Sequence, residues 1–426
     1  MQNQAVRNRE AADVIVIGAG MAGLGAARIL AEHGLAVTLL EAQQRVGGRI
    51  LTVHSPHEEL PIELGAEFVH GRPPELLELI AEAGLTIFER DGEMLCYEKG
   101  SLGDCNFGAA FEVLDKLPAS PDMSFAEFLN QARLPDDVAA HAKSYVEGFN
   151  AADSSLIGTL ALRKQQEAEE AIDGGRSFRV LEGYDRVPRF VLERFLAAGG
   201  TLHLDTTVTA VDWSPGEVRV VTSNPTHPEL RAARAIIALP LGVLQAGVVS
   251  IRPEPPTQAA LQKMAMGTAA RLSLLFKEKF WSHVAPDLSF LITQESPLPA
   301  WWTSHPNSSS VLTGWTGGPR AIGLPAPDVL QQQAIAELQM IFQRSDLADL
   351  LISAHHHDWQ SDPYSRGAYS YAPKDSSTAS EELAQRVNDT LFFAGEHTDI
   401  TGNWGTVHAA FRSGQRAAKQ ILSVPR

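Results

Sequence analysis

A short apolar strand that runs directly into a glycine-rich turn is the feature that most restricts how this chain can fold. Residues 14–17 read Val-Ile-Val-Ile, which is typical of a strand buried on both faces of a parallel sheet. Gly18, Gly20 and Gly23 follow with G-x-G-x-x-G spacing, and apolar residues then recur at helical spacing. A second apolar run at 36–40 completes a β-α-β unit. The sequence therefore predicts a doubly wound α/β domain.

The spacing of these glycines, with one carboxylate after them, predicts a dinucleotide site. The first glycine permits the tight turn, the second lets the backbone approach a pyrophosphate, and the third lets the helix pack on the strand. The helix N-terminus then faces the phosphates. Glu41 stands 23 residues after Gly18, where its carboxylate can accept hydrogen bonds from both ribose hydroxyls. Because that carboxylate would repel a 2′-phosphate, FAD or NAD is favoured over NADP.

Composition excludes several other classes of protein. The chain has 426 residues, 44% of them hydrophobic, which is enough for two or three domains with large cores. Its 35 basic and 51 acidic residues give a net charge of −16 without a basic cluster, so neither nucleic acid nor a membrane surface is expected as a partner. The N-terminal twelve residues are polar, and no apolar run approaches about 18 residues. We expect a cytoplasmic protein; the sequence indicates no oligomeric state.

The cysteines and clustered histidines do not indicate a metal site. Cys96 and Cys105 have no second pair beside them, so neither a disulfide framework nor a zinc module is expected, and both are predicted to be free thiols. The three consecutive histidines at 355–357 cannot all point the same way from an extended segment. No cysteine or carboxylate cluster accompanies them, and the prediction is that no metal is bound.

The segment after Glu41 carries a motif that distinguishes FAD from NAD. Residues 45–49 read Arg-Val-Gly-Gly-Arg, and here the sequence resembles the flavin-containing amine oxidases. Further segments of that family pattern follow in the family's order: residues 63–71, 183–185, 239–244, 362–371 and 393–398. The resemblance covers most of the chain and is strongest to polyamine oxidases and to the catalytic part of lysine-specific histone demethylases, without their helical insertion. It implies FAD as the cofactor.

The resemblance also implies which positions contact FAD. The residue matching Glu41 holds the adenosine ribose, that matching Arg49 binds the polar tail of the flavin, and the backbone of that matching Val208 contacts adenine. The other implied cofactor positions are Gly18, Gly20, Gly23, Gly65, Ala66, Glu67, Trp359, Gly395, Glu396, Thr406 and Val407. The last two begin the final helix, whose N-terminus would favour the negative charge of reduced flavin.

Three departures from the family pattern refine that picture. Gln43 stands where the family has an arginine near the ribose, so one contact is weakened. Ala368 replaces the cysteine that binds flavin covalently in monoamine oxidases, which implies non-covalent FAD. Phe68 occupies the place where amino-acid oxidases usually have an arginine that binds the substrate carboxylate. The resemblance therefore implies an amine without an α-carboxylate.

The substrate side is implied to be aromatic. Tyr369 would face the reacting amine and is assigned a catalytic role together with Trp359, while Tyr364 would line the channel. Glu67 and His70 lie in the loop expected beside the flavin and could each anchor a distal ammonium. A diamine or polyamine is the expected substrate.

The arginine at position 271 departs from the family pattern in the way that most affects which oxidant is expected. Family members commonly have a lysine there, which holds a water and assists oxygen. Arginine cannot act as a neutral base, but its fixed charge could still stabilise superoxide. We therefore assign Arg271 a catalytic role and molecular oxygen as the expected acceptor, with a dehydrogenase that uses another acceptor as the variant.

The expected architecture is an FAD domain of residues 1–73, 178–252 and 382–426, interleaved with an α+β substrate domain of residues 74–177 and 253–381. The expected activity is hydride transfer from a primary or secondary amine to FAD, giving an imine, then an aldehyde, and hydrogen peroxide. Two alternatives remain: a flavin enzyme of the same fold that acts on an amino acid or desaturates a hydrocarbon-like substrate, and a non-catalytic FAD-binding scaffold.

Overall fold

A computed structural model describes residues 12–105, 107–293 and 296–424. The predicted polar N-terminal segment falls almost entirely on residues 1–11, outside the described residues. The largest sheet has eight strands. In spatial order seven of them are Thr201–His203, Val37–Leu40, Ala12–Ile17, Glu229–Ile237, Glu217–Thr222, Val208–Ser214 and Ser250–Arg252, and the eighth, Leu391–Phe393, pairs with Glu229–Ile237.

The first strand lies in the middle of this sheet, as its sequence predicts. It runs parallel to both of its neighbours, Val37–Leu40 and Glu229–Ile237. Alternate side chains enter different cores: Val14 and Val16 join the core under the first and last helices, whereas Ile15 and its partner Ile17 join the core on the other face. The prediction of a strand buried on both faces is confirmed, and the doubly wound α/β arrangement follows from it.

A second sheet of seven strands forms the other large layer. Its spatial order is Leu351–His355, Ala269–Phe276, Val311–Gly317, Ala300–Trp302, Leu288–Thr293, Glu93–Glu98 and Ser101–Asp104. The helix Pro327–Ile341 packs on one face and buries Leu338 and Trp301 in a shared core. Small sheets pair Thr52–Val53 with Ile62–Glu63, Ala265–Met266 with Ser370–Tyr371, and Ser177–Val180 with both Val69–His70 and Ile87–Glu89.

The α-helices connect and cover these sheets. Those of the described residues are Met21–Glu32, Pro74–Glu82, Gly108–Leu114, Phe125–Ala132, Asp136–Asn150, Thr159–Glu170, Arg186–Ala197, Leu241–Gln245, Gln258–Leu261, Pro327–Ile341, Leu347–Leu350, Ala379–Leu383 and Val407–Leu422. No helix in the described part of the chain is both long and apolar enough to cross a membrane.

The stretch 74–177 is only partly helical. Five helices lie in it, and Ile87–Glu89, Glu93–Glu98 and Ser101–Asp104 are strands. Glu93–Glu98 pairs in parallel with Leu288–Thr293, nearly 200 residues away. Such a long-range partner decides strand formation but leaves little signal in the local sequence.

The prediction of two free thiols is wrong. Cys96 and Cys105 form a disulfide, with their Cα atoms 5.0 Å apart. Cys96 lies in one arm of the hairpin, and Cys105 directly follows the other arm, Ser101–Asp104. The hairpin that sequence reasoning missed brings the two sulfur atoms together.

The predicted division into two domains stays a proposal. The strands of the eight-stranded sheet come from all three segments assigned to the FAD domain, and those of the seven-stranded sheet come from the two segments assigned to the substrate domain. The strand Ser177–Val180 lies at the predicted boundary and belongs to neither large sheet.

The first and last helices contact each other through glycine, which gives a test of the packing. A Cβ atom at Gly414 would lie 2.0 Å from the carbonyl oxygen of Ala22. We expect Gly414→Ala to lower the free energy of unfolding by about 2 kcal/mol or more, because backbone must move to relieve the overlap. The exposed helix-start position Gly108, where a Cβ would meet nothing within 4 Å, supplies the control Gly108→Ala. Equal stability of the two variants in denaturant titrations would contradict this packing.

Candidate active site

One continuous cavity of about 1030 Å³ lies between the two large sheets and the helices around them. Its walls include Gly20 and Glu41 from the glycine turn and the end of the second strand. They also include Tyr369 and, from the seven-stranded sheet, Phe290 and Trp315. The cavity therefore joins the predicted dinucleotide site to the predicted aromatic substrate site.

The glycine turn has the geometry that a pyrophosphate requires. Gly18 has φ +101°, and a Cβ there would lie 2.8 Å from the carbonyl oxygen of Ala238. A Cβ at Gly23 would overlap the Gly18 carbonyl oxygen at 1.8 Å, whereas at Gly20 it would meet nothing within 4 Å. Since Gly20 lines the cavity immediately before the helix that begins at Met21, open space adjoins backbone that can bind a phosphate.

Glu41 is held at the end of the second strand as an oriented hydrogen-bond acceptor. Its Oε2 accepts from the Ala19 amide at 2.8 Å, and its Oε1 accepts from the Gln43 amide at 2.9 Å. Burial raises the pKa of the carboxyl group, and these amide donors oppose the rise. Glu41 and Val208 line the same cavity, as a shared adenosine site would require.

A second buried carboxylate connects three segments of the wall. Glu396 accepts from Arg49 Nη1 at 3.0 Å, from the Ser370 hydroxyl at 2.6 Å and from the Gly405 amide at 2.9 Å. Burial alone would raise its pKa, but Arg49 and the other donors outweigh burial and lower it. Arg49 also donates to the carbonyl of Ala368 at 2.8 Å, which fixes the guanidinium at the cavity wall.

The final helix points its N-terminus at the cavity. It spans Val407–Leu422, and Thr406 is its N-cap, accepting from the Ala409 amide at 3.2 Å. Thr406, Val407 and Gly395 all line the cavity. The amides of the first helical turn are therefore available to a partly negative group.

The cavity is lined by the aromatic side chains predicted for the substrate side, Trp359, Tyr364 and Tyr369. Trp359 donates from Nε1 to the carbonyl of Leu64 at 2.8 Å, and Tyr369 donates from its hydroxyl to the carbonyl of Phe149 at 2.7 Å. Burial raises the pKa of Tyr369, so its hydroxyl stays protonated at neutral pH. Tyr364 also lines the cavity but is 38% exposed. The loop residues Gly65 and Ala66 complete this part of the wall.

Glu67 and Arg271 form one buried ionic network. Glu67 is 5% exposed and lies 2.9 Å from Arg271 Nη2 and 3.0 Å from Arg179 Nη2. Trp302 donates from Nε1 to both carboxylate oxygens at 3.1 Å. Arg271 also donates to the carbonyl of Glu63 at 2.6 Å, and the ring of Trp302 faces its guanidinium at 5.2 Å. Two guanidinium groups thus balance the charge of Glu67.

His70 is a neutral side chain among aromatic rings. Burial lowers the pKa of its imidazole to about 4, and the charge of Arg90 acts in the same direction. Its ring meets Phe149 edge-on at 5.6 Å and lies 5.9 Å from Phe68. His70 can therefore donate or accept a hydrogen bond at neutral pH but carries no charge there.

Several functional contacts were not foreseen from the sequence. Arg179, Trp302 and Phe149 contact Glu67, Arg271 or Tyr369, yet none lies in a recognisable motif of its own. Their spacing in sequence carried no signal, because each reaches the site through a different sheet or helix. Of the predicted residues, Gly23 serves internal packing and the others line the cavity.

Comparison with known proteins supplies the family. The sequence matches the family described as flavin containing amine oxidoreductase over residues 21–93 and 92–422. The chain belongs to the flavin-containing amine oxidoreductases. Family membership makes this protein a flavoenzyme and argues against the alternative of a non-catalytic FAD-binding scaffold.

Individual relatives agree with this assignment. Polyamine oxidase 2 of Arabidopsis thaliana is 30% identical over 95% of this chain and 87% of its own length. A lysine-specific histone demethylase 1 homolog of Oryza sativa subsp. japonica is 28% identical over 97% of this chain but only 57% of its own length. A solved putrescine oxidase bound to putrescine shares the fold, with a TM-score of 0.80, 21% identity and coverage of 97% of this chain and 99% of its own. Cyclohexylamine oxidase from Brevibacterium oxydans does so with a TM-score of 0.81, 20% identity and coverage of 96% and 98%.

The residues of this amine oxidoreductase fit FAD. The space beside Gly20 can take the pyrophosphate, Glu41 is poised to accept from ribose hydroxyls, and the cavity continues to the N-terminus of the final helix. Arg49, which is held by Glu396, supplies hydrogen-bond donors to the cavity between these two places. Bound there, FAD supplies a hydride acceptor that no protein side chain can replace.

Glu63, below the Arg271 network, makes the stability of this enzyme depend on pH. It accepts from the Thr52 hydroxyl at 2.6 Å and the Tyr184 amide at 2.8 Å, and burial raises its pKa from 4.5 to about 7. As pH rises from 4.5 to 7, the unfolded chain loses this proton before the folded protein does. The stability that Glu63 contributes is therefore full below pH 4.5 and is lost by about pH 7.

The substitution Glu63→Gln removes this titration. Between pH 5 and pH 8 we expect the free energy of unfolding of the wild type to fall by about 2–3 kcal/mol relative to Glu63→Gln. Chemical denaturation at several pH values measures the difference, with Glu59→Gln at an exposed position as the control. Parallel pH profiles for the wild type and Glu63→Gln would show that Glu63 does not titrate in this range.

Proposed function

We propose that the protein oxidises a primary or secondary amine without an α-carboxylate, using non-covalently bound FAD, with molecular oxygen as the final acceptor. In the overall reaction the amine, oxygen and water give a carbonyl compound, a released amine or ammonia, and hydrogen peroxide. The enzyme class is that of the family; the kind of amine and the acceptor are the proposed parts.

The continuity of the cavity is the observation that carries this proposal. A dinucleotide bound beside Gly20 and Glu41 can extend through the same space to Tyr369 without crossing a protein wall. The far part of the cavity is lined by rings, among them Phe68, Phe149 and Trp302. An apolar chamber that opens onto the reactive end of a flavin supports oxidation of a largely apolar amine.

The chamber also addresses the protonation state of the substrate. An alkylamine with a pKa of about 10 must lose its proton before hydride can leave, which costs about 4 kcal/mol at neutral pH. The faces of Tyr369 and the neighbouring rings favour the cation by only about 0.5–2 kcal/mol, whereas a dry apolar chamber disfavours it. These side chains therefore hold the amine and exclude water, and desolvation drives the proton away.

The expectation of a diamine or polyamine has mixed support. The names of the relatives favour it, since one is a polyamine oxidase and another was solved with putrescine. Glu67, however, is already balanced by Arg179 and Arg271 and does not offer free charge to a second ammonium. His70 is neutral and offers a hydrogen bond only. The proposal therefore commits to the amine and not to a second amine in the same molecule.

Anaerobic titration of FAD-loaded protein with simple amines tests the proposed reaction. We expect the visible absorbance of the flavin to disappear on addition of an alkylamine, because hydride leaves the carbon beside nitrogen. The corresponding α-amino acid should be much poorer, because Phe68 offers no charge to its carboxylate. If α-amino acids reduce the flavin and simple amines do not, the protein is an amino-acid oxidase and the proposal is wrong.

The oxidant is tested at Arg271, whose guanidinium is buried at the cavity wall and fixed by Glu67. A fixed cation beside the site of oxygen reduction stabilises developing negative charge, and loss of one such interaction typically costs tenfold or more in rate. We expect reduced wild-type enzyme to react with oxygen faster than free reduced FAD does. Arg271→Met should slow that step by about tenfold or more, and Arg271→Lys should stay closer to wild type.

Rapid mixing of dithionite-reduced protein with oxygen measures this step apart from amine oxidation. The FAD dissociation constant and circular dichroism of each variant serve as controls for folding. A wild-type rate no greater than that of free reduced FAD would favour the dehydrogenase alternative. If Arg271→Met reacts with oxygen as fast as the wild type does, Arg271 has no role in flavin reoxidation.

A further inference from the structure

Arg90 is a charged residue of the cavity that neither the nucleotide site nor the Glu67 network uses. It lies just before the strand Glu93–Glu98 and lines the cavity. Its guanidinium stacks over the ring of Phe290 with the central carbon 4.4 Å from the ring centroid, and Nη1 donates to the Ser289 hydroxyl at 3.0 Å. These two contacts hold the side chain in one place but bring no negative charge to it.

The charge of Arg90 is not balanced by an ion pair. Among the described residues, no carboxylate oxygen lies within 4 Å of its guanidinium nitrogens. Arg49 and Arg271, which also line the cavity, are both paired with buried glutamates. Arg366 lines the cavity too, but it is exposed to water. A partly buried guanidinium without a carboxylate partner favours an anion that enters the cavity.

Asp91, next to Arg90 in sequence, is the carboxylate whose charge acts on Arg90, and its side chain is exposed to water. His70, whose pKa is lowered by burial and by the charge of Arg90, is neutral. Besides Glu41, Glu67 and Glu396, two more carboxylates line other parts of the cavity. Glu147 accepts from the Ser154 hydroxyl at 2.6 Å and faces Lys143 at 3.8 Å, and Glu169 accepts from Gln165 at 3.0 Å while burial raises its pKa.

We propose that Arg90 is a specificity-determining residue that binds a carboxylate at the far end of the amine substrate, remote from the carbon that is oxidised. The inference rests on the proposed amine oxidation and narrows its substrate class to ω-amino acids and related amines with a distant acid group. This substrate class is consistent with Phe68, whose uncharged side chain cannot bind an α-carboxylate. The inference also disfavours a diamine, whose second ammonium would meet the charge of Arg90.

Phe149 and His70 lie between the two ends of this substrate path. The Tyr369 hydroxyl donates to the backbone carbonyl of Phe149, the ring of Phe149 meets His70 at 5.6 Å, and the charge of Arg90 lowers the pKa of His70. A substrate with its nitrogen near Tyr369 would pass along the rings of Phe149 and His70 to reach Arg90. The spacer must therefore contain several methylene groups or a ring, and the apolar walls suit such a spacer.

Three compounds of one length test the inference. Hexylamine, 1,6-diaminohexane and 6-aminohexanoate share a reactive amine and a spacer but end in a methyl group, an ammonium and a carboxylate. In anaerobic flavin reduction we expect 6-aminohexanoate to have the lowest dissociation constant, about tenfold below that of hexylamine, because a hydrogen-bonded charge pair forms at Arg90. The diamine should bind more weakly than hexylamine.

Variants of Arg90 identify the charge responsible. Arg90→Gln keeps a donor for Ser289 and should abolish the preference for the carboxylate, while Arg90→Glu should reverse it in favour of the diamine. Arg72→Gln removes an equal charge from an exposed position outside the cavity and should leave the order of the three compounds unchanged. Calorimetric binding of hexanoate, which cannot be oxidised as an amine, should weaken about tenfold in Arg90→Gln.

The outcomes separate this inference from the proposed reaction. Reduction by hexylamine with no advantage for 6-aminohexanoate, or an advantage that persists in Arg90→Gln, would overturn the role of Arg90 and leave amine oxidation standing. If the wild type binds 1,6-diaminohexane most tightly, the role of Arg90 is likewise overturned, and a diamine becomes the favoured substrate. Failure of all three amines to reduce the flavin, with no binding of hexanoate, would overturn both.

Discussion

The lack of a side chain at Gly23 is the constraint on which the rest of the site depends. The carbonyl of Gly18 passes so close that any larger residue at Gly23 would overlap it. The first helix can therefore start directly at the edge of the sheet, with its N-terminus towards the cavity. The final helix packs on it through Gly414, and this contact brings Thr406 and Val407 to the same cavity. Two helix N-termini thus face one space, which suits a ligand with both a pyrophosphate and a flavin.

The walls of that space keep most of their buried charges in pairs. Arg49 balances Glu396, and Arg271 with Arg179 balances Glu67. Removing one member of such a pair leaves an uncompensated charge, so these residues shape the site as much as they act in it. Paired charges also have little left for a substrate. We propose that substrate selection then falls to the rings of the chamber and to Arg90, for which the described residues provide no ion pair.

The features that the sequence predicts well are local. The β-α-β unit, the position of Glu41 and the final helix Val407–Leu422 each depend on residues within one or two turns or strands of each other, and the structure contains all three. Most of the family motifs likewise marked segments that line the cavity, although residues 183–185 do not. Where a pattern is carried by neighbouring residues, local propensity and tertiary structure agree.

The features that escaped prediction depend on contacts between distant segments. Glu93–Glu98 pairs with Leu288–Thr293, nearly 200 residues away. Cys96 and Cys105 are only nine residues apart, but they meet because this strand also forms a hairpin with Ser101–Asp104. Glu67 looked like a free anchor for an ammonium because the guanidinium of Arg179, more than a hundred residues later, could not be placed beside it from sequence. The roles assigned to individual site residues stay predictions, and the structure supplies the contacts at which each can be tested.

The visible spectrum of the purified protein shows whether the cavity holds FAD. We expect a yellow protein with one FAD for each chain, and this FAD should be released intact when the protein is denatured, since Ala368 offers no atom for a covalent link. A protein that remains colourless after incubation with excess FAD, or one that keeps its flavin attached to the denatured chain, would contradict this expectation.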